Sequence, residues 1–182
     1  CVAIGKEALK GAAGTTTAQE GAIAIGYKSL YAVTTGARNT AIGFEAGESI
    51  TTAHGNTLIG WKAGQNTNAG YNVVIGDNAL RVEDGGGNSN VVIGSGAAEL
   101  ANNDSFDANV IIGGESGTGG TGYLNECIVL GFRALNSTDT TNHTGTIAIG
   151  SSALTAVNHA DASGSVAIGH NAGVAITSAQ GS

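Results

Sequence analysis

The sequence predicts an all-β fold, a parallel β-roll or β-solenoid of about ten coils, because self-similarity at a short fixed period marks a chain that stacks one small unit on the next. Three observations carry this expectation. First, an aliphatic residue, glycine, two variable residues and then Ala or Ser recur at Gly5, Gly26, Gly43, Gly60, Gly76, Gly94, Gly113, Gly131, Gly150 and Gly169, spaced 16 to 21 residues apart. Second, glycine supplies 31 of 182 residues and proline none, with 4% aromatic and 12% charged residues, which suits tight turns and small packed side chains. Third, the residues before each glycine are mostly β-branched, as short strands require.

The strand comes first in each unit. The residue before the glycine is Ile in every unit except Leu130, and the residue three before it is Val2, Ile23, Thr40, Thr57, Val73, Val91, Val110, Ile128, Ile147 or Val166. These two positions share a parity and are expected to face the interior of the coil. The residue between them has the opposite parity and is also apolar, with Ala41, Leu58, Val74, Val92, Ile111 and Val129 in the middle units. A strand apolar on both sides is buried on both sides. The second stripe is therefore expected to be an interface with another copy of the same rod, which makes the chain an obligate homo-oligomer.

Just upstream of the strand stands Asn39, Asn56, Asn72, Asn90 or Asn109 in the five middle units. Asparagine tolerates left-handed backbone and bonds nearby backbone groups, so a stacked corner is expected there. Cys1 and Cys127 occupy the same slot. At about 4.8 Å per coil they would lie about 34 Å apart, beyond disulfide reach, and are expected to be free thiols.

After the glycine, the first variable position carries Tyr27, Phe44 and Trp61 in successive units, and Phe132 alone later. The three rings would form a ladder along one edge. It can serve as a platform for the apolar faces of sugars in a receptor, or the rings can simply pack on one another, and the second reading is the commoner one. The second position alternates Glu7, Lys28, Glu45 and Lys62, then Glu115 and Arg133, as in-register cross-strand pairs would. The third accepts only Ala or Ser, as expected where backbones approach closely.

Units such as Asn39-Thr-Ala-Ile-Gly-Phe-Glu-Ala-Gly47 and Asn56-Thr-Leu-Ile-Gly-Trp-Lys-Ala-Gly64 resemble the head repeats of YadA-type trimeric autotransporter adhesins and the related repeats of bacteriophage tail fibres, and Ser165-Val-Ala-Ile-Gly169 is close to the bacterial form. The resemblance covers essentially the whole chain. It implies a left-handed parallel β-roll with three chains side by side as a homotrimer, in an extracellular virion appendage or on a bacterial cell surface, contacting a host polysaccharide or protein. Longer, irregular coils between Lys10 and Glu20 and between Gly114 and Asn125 lean toward the fibre relatives. Residues 1–182 read as one repeat domain, and a chain that starts at Cys1 and contains no methionine reads as a piece of a longer fibre protein.

Rival functions find less support. The triangular β-helix of acyltransferases needs an aliphatic residue five positions after each glycine, but there stand Lys10, Tyr31, Glu48, Gln65, Arg81, Glu99, Thr118, Asn136, Thr155 and Val174. Gly117, Gly119 and Gly122 spell a dinucleotide-loop pattern without the helix that such a loop must open. An ice-binding surface could use Thr34, Thr35, Thr51, Thr52 and Thr67, but Arg81 to Asp84 break the array. A net charge of −7 with seven Lys and Arg argues against nucleic acid as a partner. No segment has the roughly 18 apolar residues of a membrane-spanning helix. His54, His143, His159 and His170 lack ligand spacing and are expected to be solvated, and Asp104, Asp107, Asp139 and Asp161 lack the calcium-roll pattern. No cofactor, metal or catalytic group is expected.

Overall fold

The computed structural model describes residues 1–11, 20–82, 87–101, 106–118, 122–136, 142–155 and 163–174. Its strands are β1 (Val2–Ile4), β2 (Ile23–Ile25), β3 (Thr40–Ile42), β4 (Thr57–Ile59), β5 (Val73–Ile75), β6 (Val91–Ile93), β7 (Val110–Ile112), β8 (Leu124–Asn125), β9 (Ile128–Leu130), β10 (His143–Thr144), β11 (Ile147–Ile149) and β12 (Val166–Ile168). Ten of them form one parallel sheet in the order β1-β2-β3-β4-β5-β6-β7-β9-β11-β12, and β8 pairs with β10 in a second. The chain is a parallel β-solenoid of about eight coils. That is fewer than the ten units counted in sequence, although each unit contributes one strand to the main sheet.

The register is uniform. Each strand pairs residue for residue with the next, so that Thr40, Ala41 and Ile42 lie opposite Thr57, Leu58 and Ile59. The glycine that follows every strand of the main sheet has φ between 126° and 145°. A side chain at Gly5 would place its Cβ 2.6 Å from the carbonyl oxygen of Gly26, and the same clash with the next glycine recurs up the column to Gly150. Direct backbone contact between coils therefore excludes every other residue at this position.

The turn after the glycine has an unusual backbone. The second residue is left-handed in all ten units, with φ from 52° to 63°, and so is the fourth, with φ from 46° to 66°. Most of these are not glycine, and each such residue costs roughly 1–2 kcal/mol against its right-handed form. Hydrogen bonds account for the choice. The second residue donates to the coil before, as Glu45 N does to Tyr27 O at 2.8 Å, and the fourth donates to the coil after, as Gly47 N does to Ala63 O at 3.0 Å. The left-handed residues thus aim successive N–H groups in opposite directions along the stack.

The core reverses one expectation. Ala41, Leu58, Val74, Val92, Ile111 and Val129, read as an interface between chains, are fully enclosed within their own coil, while Ile42, Ile59, Ile75 and Ile93 and the residues two before them lie on the outer face, half-buried. The interior holds one strand side chain per coil against the fourth residue after the glycine, taking Ala, Val, Leu or Ile there, and the other two strand positions lie outside. In several coils the two inner positions trade volume, while at Ala41 and Gly47, both small, Leu58, Ile50 and Leu30 reach into the space. Ala24 faces Leu30 and Ala148 faces Leu154, whereas Leu58 is matched by Gly64 and Ile111 by Gly117. A Cβ at Gly64 would meet Leu58 Cδ2 at 2.8 Å, and one at Gly117 would meet Ile111 Cδ1 at 3.0 Å.

Asparagines hold the opposite corner. Asn39 Nδ2 donates to Ala53 O at 2.8 Å and its Oδ1 accepts from Asn56 N at 2.9 Å, so one side chain clasps both ends of the next coil's four-residue corner. Asn56, Asn72, Asn90 and Asn109 repeat the clasp. The asparagines are not themselves left-handed as expected. That role falls to the preceding residue, such as Arg38 (φ 59°) or Tyr71 (φ 63°).

Candidate interaction surfaces

Tyr27, Phe44 and Trp61 stand one residue past successive strands, and the 17-residue spacing superposes them. Their centroids are 5.1 and 6.2 Å apart and the planes within 24° of parallel. The ring faces are therefore turned toward one another along the stack, with Lys28 Nζ 5.6 Å from the Tyr27 centroid and Lys62 Nζ 4.6 Å from that of Trp61. Only Phe44 has a ring on each face, and Phe44 remains 40% and Trp61 45% exposed. A sugar platform needs a free face, so mutual packing is the reading this geometry favours.

Phe132 occupies the same column without a ring neighbour. It is 50% exposed, it lies against the backbone of Gly114, and the Arg133 guanidinium sits 5.1 Å from its centroid. Its neighbours in the column, Gly114 and Ser151, are too small to cover it.

Charged side chains run beside the aromatic column. Lys62 pairs with Glu45 at 3.5 Å and Arg133 with Glu115 at 2.7 Å, as the alternation predicts. Lys28 instead reaches Glu48 at 3.0 Å, and Glu7 pairs with Lys10 at 3.2 Å in its own coil. The Glu48 hydrogen bond holds the Lys28 ammonium above its ordinary pKa. Glu48 also accepts from Gln65, which bonds Glu45, so the network spans both post-glycine columns. Such exposed pairs contribute about 0–1 kcal/mol each.

The network is interrupted at Gly96, the single glycine among the second post-glycine residues. A depression of about 440 Å³ opens there, lined by Glu99, Leu100, Glu115, Arg133 and Asn136 among others. Sequence reasoning missed it, although a glycine in an otherwise side-chain-bearing column was its signal.

The outer face of the main sheet is apolar except at two positions. Val2, Ile4, Ile112, Ile128, Val166 and Ile168 are the most exposed of its residues, and the rest are half-covered by their neighbours in the sheet. Thr40 and Thr57 are the two polar residues in it. The apolar surface that asks for a partner is thus this face, on the opposite parity from the stripe first assigned to it.

The remaining sequence candidates have structural roles. Thr34 Oγ1 donates to Thr51 O, Thr51 Oγ1 bonds Asn68, and Thr67 is fully buried, which leaves no flat hydroxyl array. His54 accepts from Ala37 N, and His170 is exposed, but His143 is completely buried and among the described residues neither ring nitrogen has a hydrogen-bond partner. It follows Leu124 in the corner column, and burial lowers its pKa. Cys1 is exposed and Cys127 buried, and neither is in a disulfide. In the asparagine slot the Cys127 thiol donates to His143 O at 3.4 Å, as the amide of Asn109 does to Leu124 O, and burial pushes its pKa up. Asp107 accepts from Asn88 N, while His159, Asp104, Asp139, Asp161 and Gly119 lie outside the described residues. Among the described residues no three His, Cys, Asp or Glu side chains gather as a metal site would require, and no helix is long and apolar enough to cross a membrane.

Comparison of the chain with protein-family models, curated proteins and solved structures gives no match.

Proposed function

We propose that the chain is a structural and host-surface-binding segment of a trimeric fibre, of the kind found in bacteriophage tails. One observation carries the reading: an outer sheet face that is apolar at every position of its ten strands except Thr40 and Thr57 and that, among the described residues, stays at least partly exposed from end to end. A parallel sheet is ordinarily covered on both faces. Three copies packed about a common axis would cover all three such faces equally, with no sheet face left over, and closed symmetry is the usual state of self-association. The resemblance of the Asn-Thr-Ala-Ile-Gly units to adhesin-head and tail-fibre repeats supports the number three and the extracellular setting. The flanks, which carry the charge network and the depression at Gly96, then remain accessible to a host surface.

Sedimentation velocity tests the assembly. The chain is expected to sediment as a trimer, and paired Ile42→Lys and Ile75→Lys substitutions are expected to dissociate it. A stably folded monomer of the unsubstituted chain at micromolar concentration refutes the reading.

A further inference from the structure

We propose that the depression at Gly96, together with the exposed ring of Phe132, is a binding site for a short neutral saccharide. This rests on the host-surface reading and assigns it a place and a ligand class. The site arises from side-chain size. The neighbouring rungs place Asn78 and Glu115 where Gly96 has no side chain, and Thr118, Asn136 and Thr155 are short where Glu48, Gln65 and Arg81 fill the earlier coils. The resulting volume of about 440 Å³ falls in the range of roughly 300–1,000 Å³ usual for small-molecule sites.

The chemistry of the wall selects the ligand. Glu99 Oε1 is bound by Arg81 Nε at 3.0 Å and Glu115 Oε2 by Arg133 Nε at 2.7 Å, so each carboxylate is neutralised by its own guanidinium and a charged ligand gains little. Glu99 Oε2 points the other way, 3.7 Å from where a Cβ on Gly96 would stand, into the gap. Carboxylate acceptors beside guanidinium donors suit vicinal hydroxyl groups, which donate and accept at once. Hydrogen bonds hold the rim in place: Asn136 Nδ2 donates to Glu115 O and Thr118 Oγ1 to Asn136 O. Apolar contact comes from Leu100, 51% exposed, in the wall itself, and Phe132 stands just outside the wall, its ring 5.1 Å from the Arg133 guanidinium that lines the depression. Phe132 is the ring in its column with no ring on either face, whereas Tyr27, Phe44 and Trp61 each have at least one face against another ring.

The test is an NMR titration of the isotopically labelled chain with the methyl pyranosides of glucose, galactose, mannose and N-acetylglucosamine, and with the methyl glycoside of sialic acid as the charged counterpart. At least one neutral pyranoside is expected to give saturable shifts around Gly96, Thr118 and Phe132 at millimolar concentration. Gly96→Asn fills the gap with a residue that the same column already accepts at Asn78 (φ 53°) and Asn171 (φ 56°). It and Phe132→Ala should each raise Kd by about tenfold or more, the equivalent of one lost stacking or polar contact, while Trp61→Ala leaves Kd unchanged. Absence of saturable shifts with every neutral pyranoside, unchanged binding by Gly96→Asn, or binding confined to the sialoside overturns the assignment. Sedimentation of the same samples separates the two ideas, since a trimer that ignores sugars sinks this inference alone and a monomer that binds them sinks only the fibre reading.

Discussion

Leu58 fills the space above two glycines, and replacing it by alanine is expected to cost about 3–5 kcal/mol. A Cβ on Gly47 would lie 2.7 Å from Leu58 Cδ1 and one on Gly64 would lie 2.8 Å from Leu58 Cδ2, so the side chain occupies both voids and is itself fully buried. Buried Leu→Ala changes cost about 2–5 kcal/mol, and the upper part of that range applies where nothing nearby can move into the cavity. Gly64→Leu alone overpacks the same space, at about 1–3 kcal/mol. Together the two substitutions recreate the pair Ala24 and Leu30 of the second coil, and Gly64 (φ 55°) already has nearly the backbone of Leu30 (φ 49°). The void over Gly47 is filled only in part, by Ile50 and Leu30, so the double variant should lie about 1–2 kcal/mol below the unsubstituted chain, far above the additive sum. Urea unfolding followed by far-UV circular dichroism, at one fixed protein concentration, measures all four corners of the cycle. Additive losses would mean that the two positions do not share a space, and the volume-trading account of the core would fail.

Acid should weaken the corner that holds His143. Its folded pKa lies below the ordinary 6.5, so below that pH the unfolded chain binds more protons; stability is full above 6.5, falls as pH drops toward the folded pKa and then levels. His143→Leu should flatten this part of the profile in pH-dependent melts, and an unchanged slope would exclude the histidine as its source. Asn72→Ala strips Gly87 O of its donor and Asn90 N of its acceptor inside the stack, which should destabilise the chain by at least about 2 kcal/mol in the same urea assay; a loss below about 0.5 kcal/mol would mean that the clasp is not stabilising. A chromogenic disulfide reagent at neutral pH should label Cys1 within minutes and Cys127 only on unfolding. Equal rates for both thiols in the native protein would contradict the burial of Cys127.

Much of the fold was legible because its tightest constraint falls on one residue type. Only glycine survives where consecutive coils touch, so Gly5 to Gly169 mark the rungs directly, and the small residues from Ala8 to Ala172 mark the turn packed behind them. The direction of each stripe was not legible, because both parities are apolar and the preference of β-branched residues for strands says nothing about which side is enclosed. The deciding signal lies across the turn, where Leu58 with Gly64 and Ala24 with Leu30 show which strand residue shares a closed space. The aromatic column could be placed by spacing, but not the orientation of its rings, which depends on stacking between coils. The depression at Gly96 escaped because it is defined by a missing side chain, and His143 because a lone histidine between polar residues gives no sign of sitting beneath Leu124.

The hydrogen bonds of the main sheet, the left-handed turns and the asparagine clasps all link one coil to the next, and hence run along the length of the rod. Tension between its two ends therefore loads these bonds along their own direction, while covalent backbone crosses from coil to coil just once per turn. Such a rod resists bending but yields to stretching in steps, each terminal coil peeling away before the next is strained. Each step releases 16 to 21 residues, a gain of roughly 50–65 Å of chain for every rung of about 4.8 Å surrendered. Under load the stack would act as an extensible tether that dissipates force coil by coil.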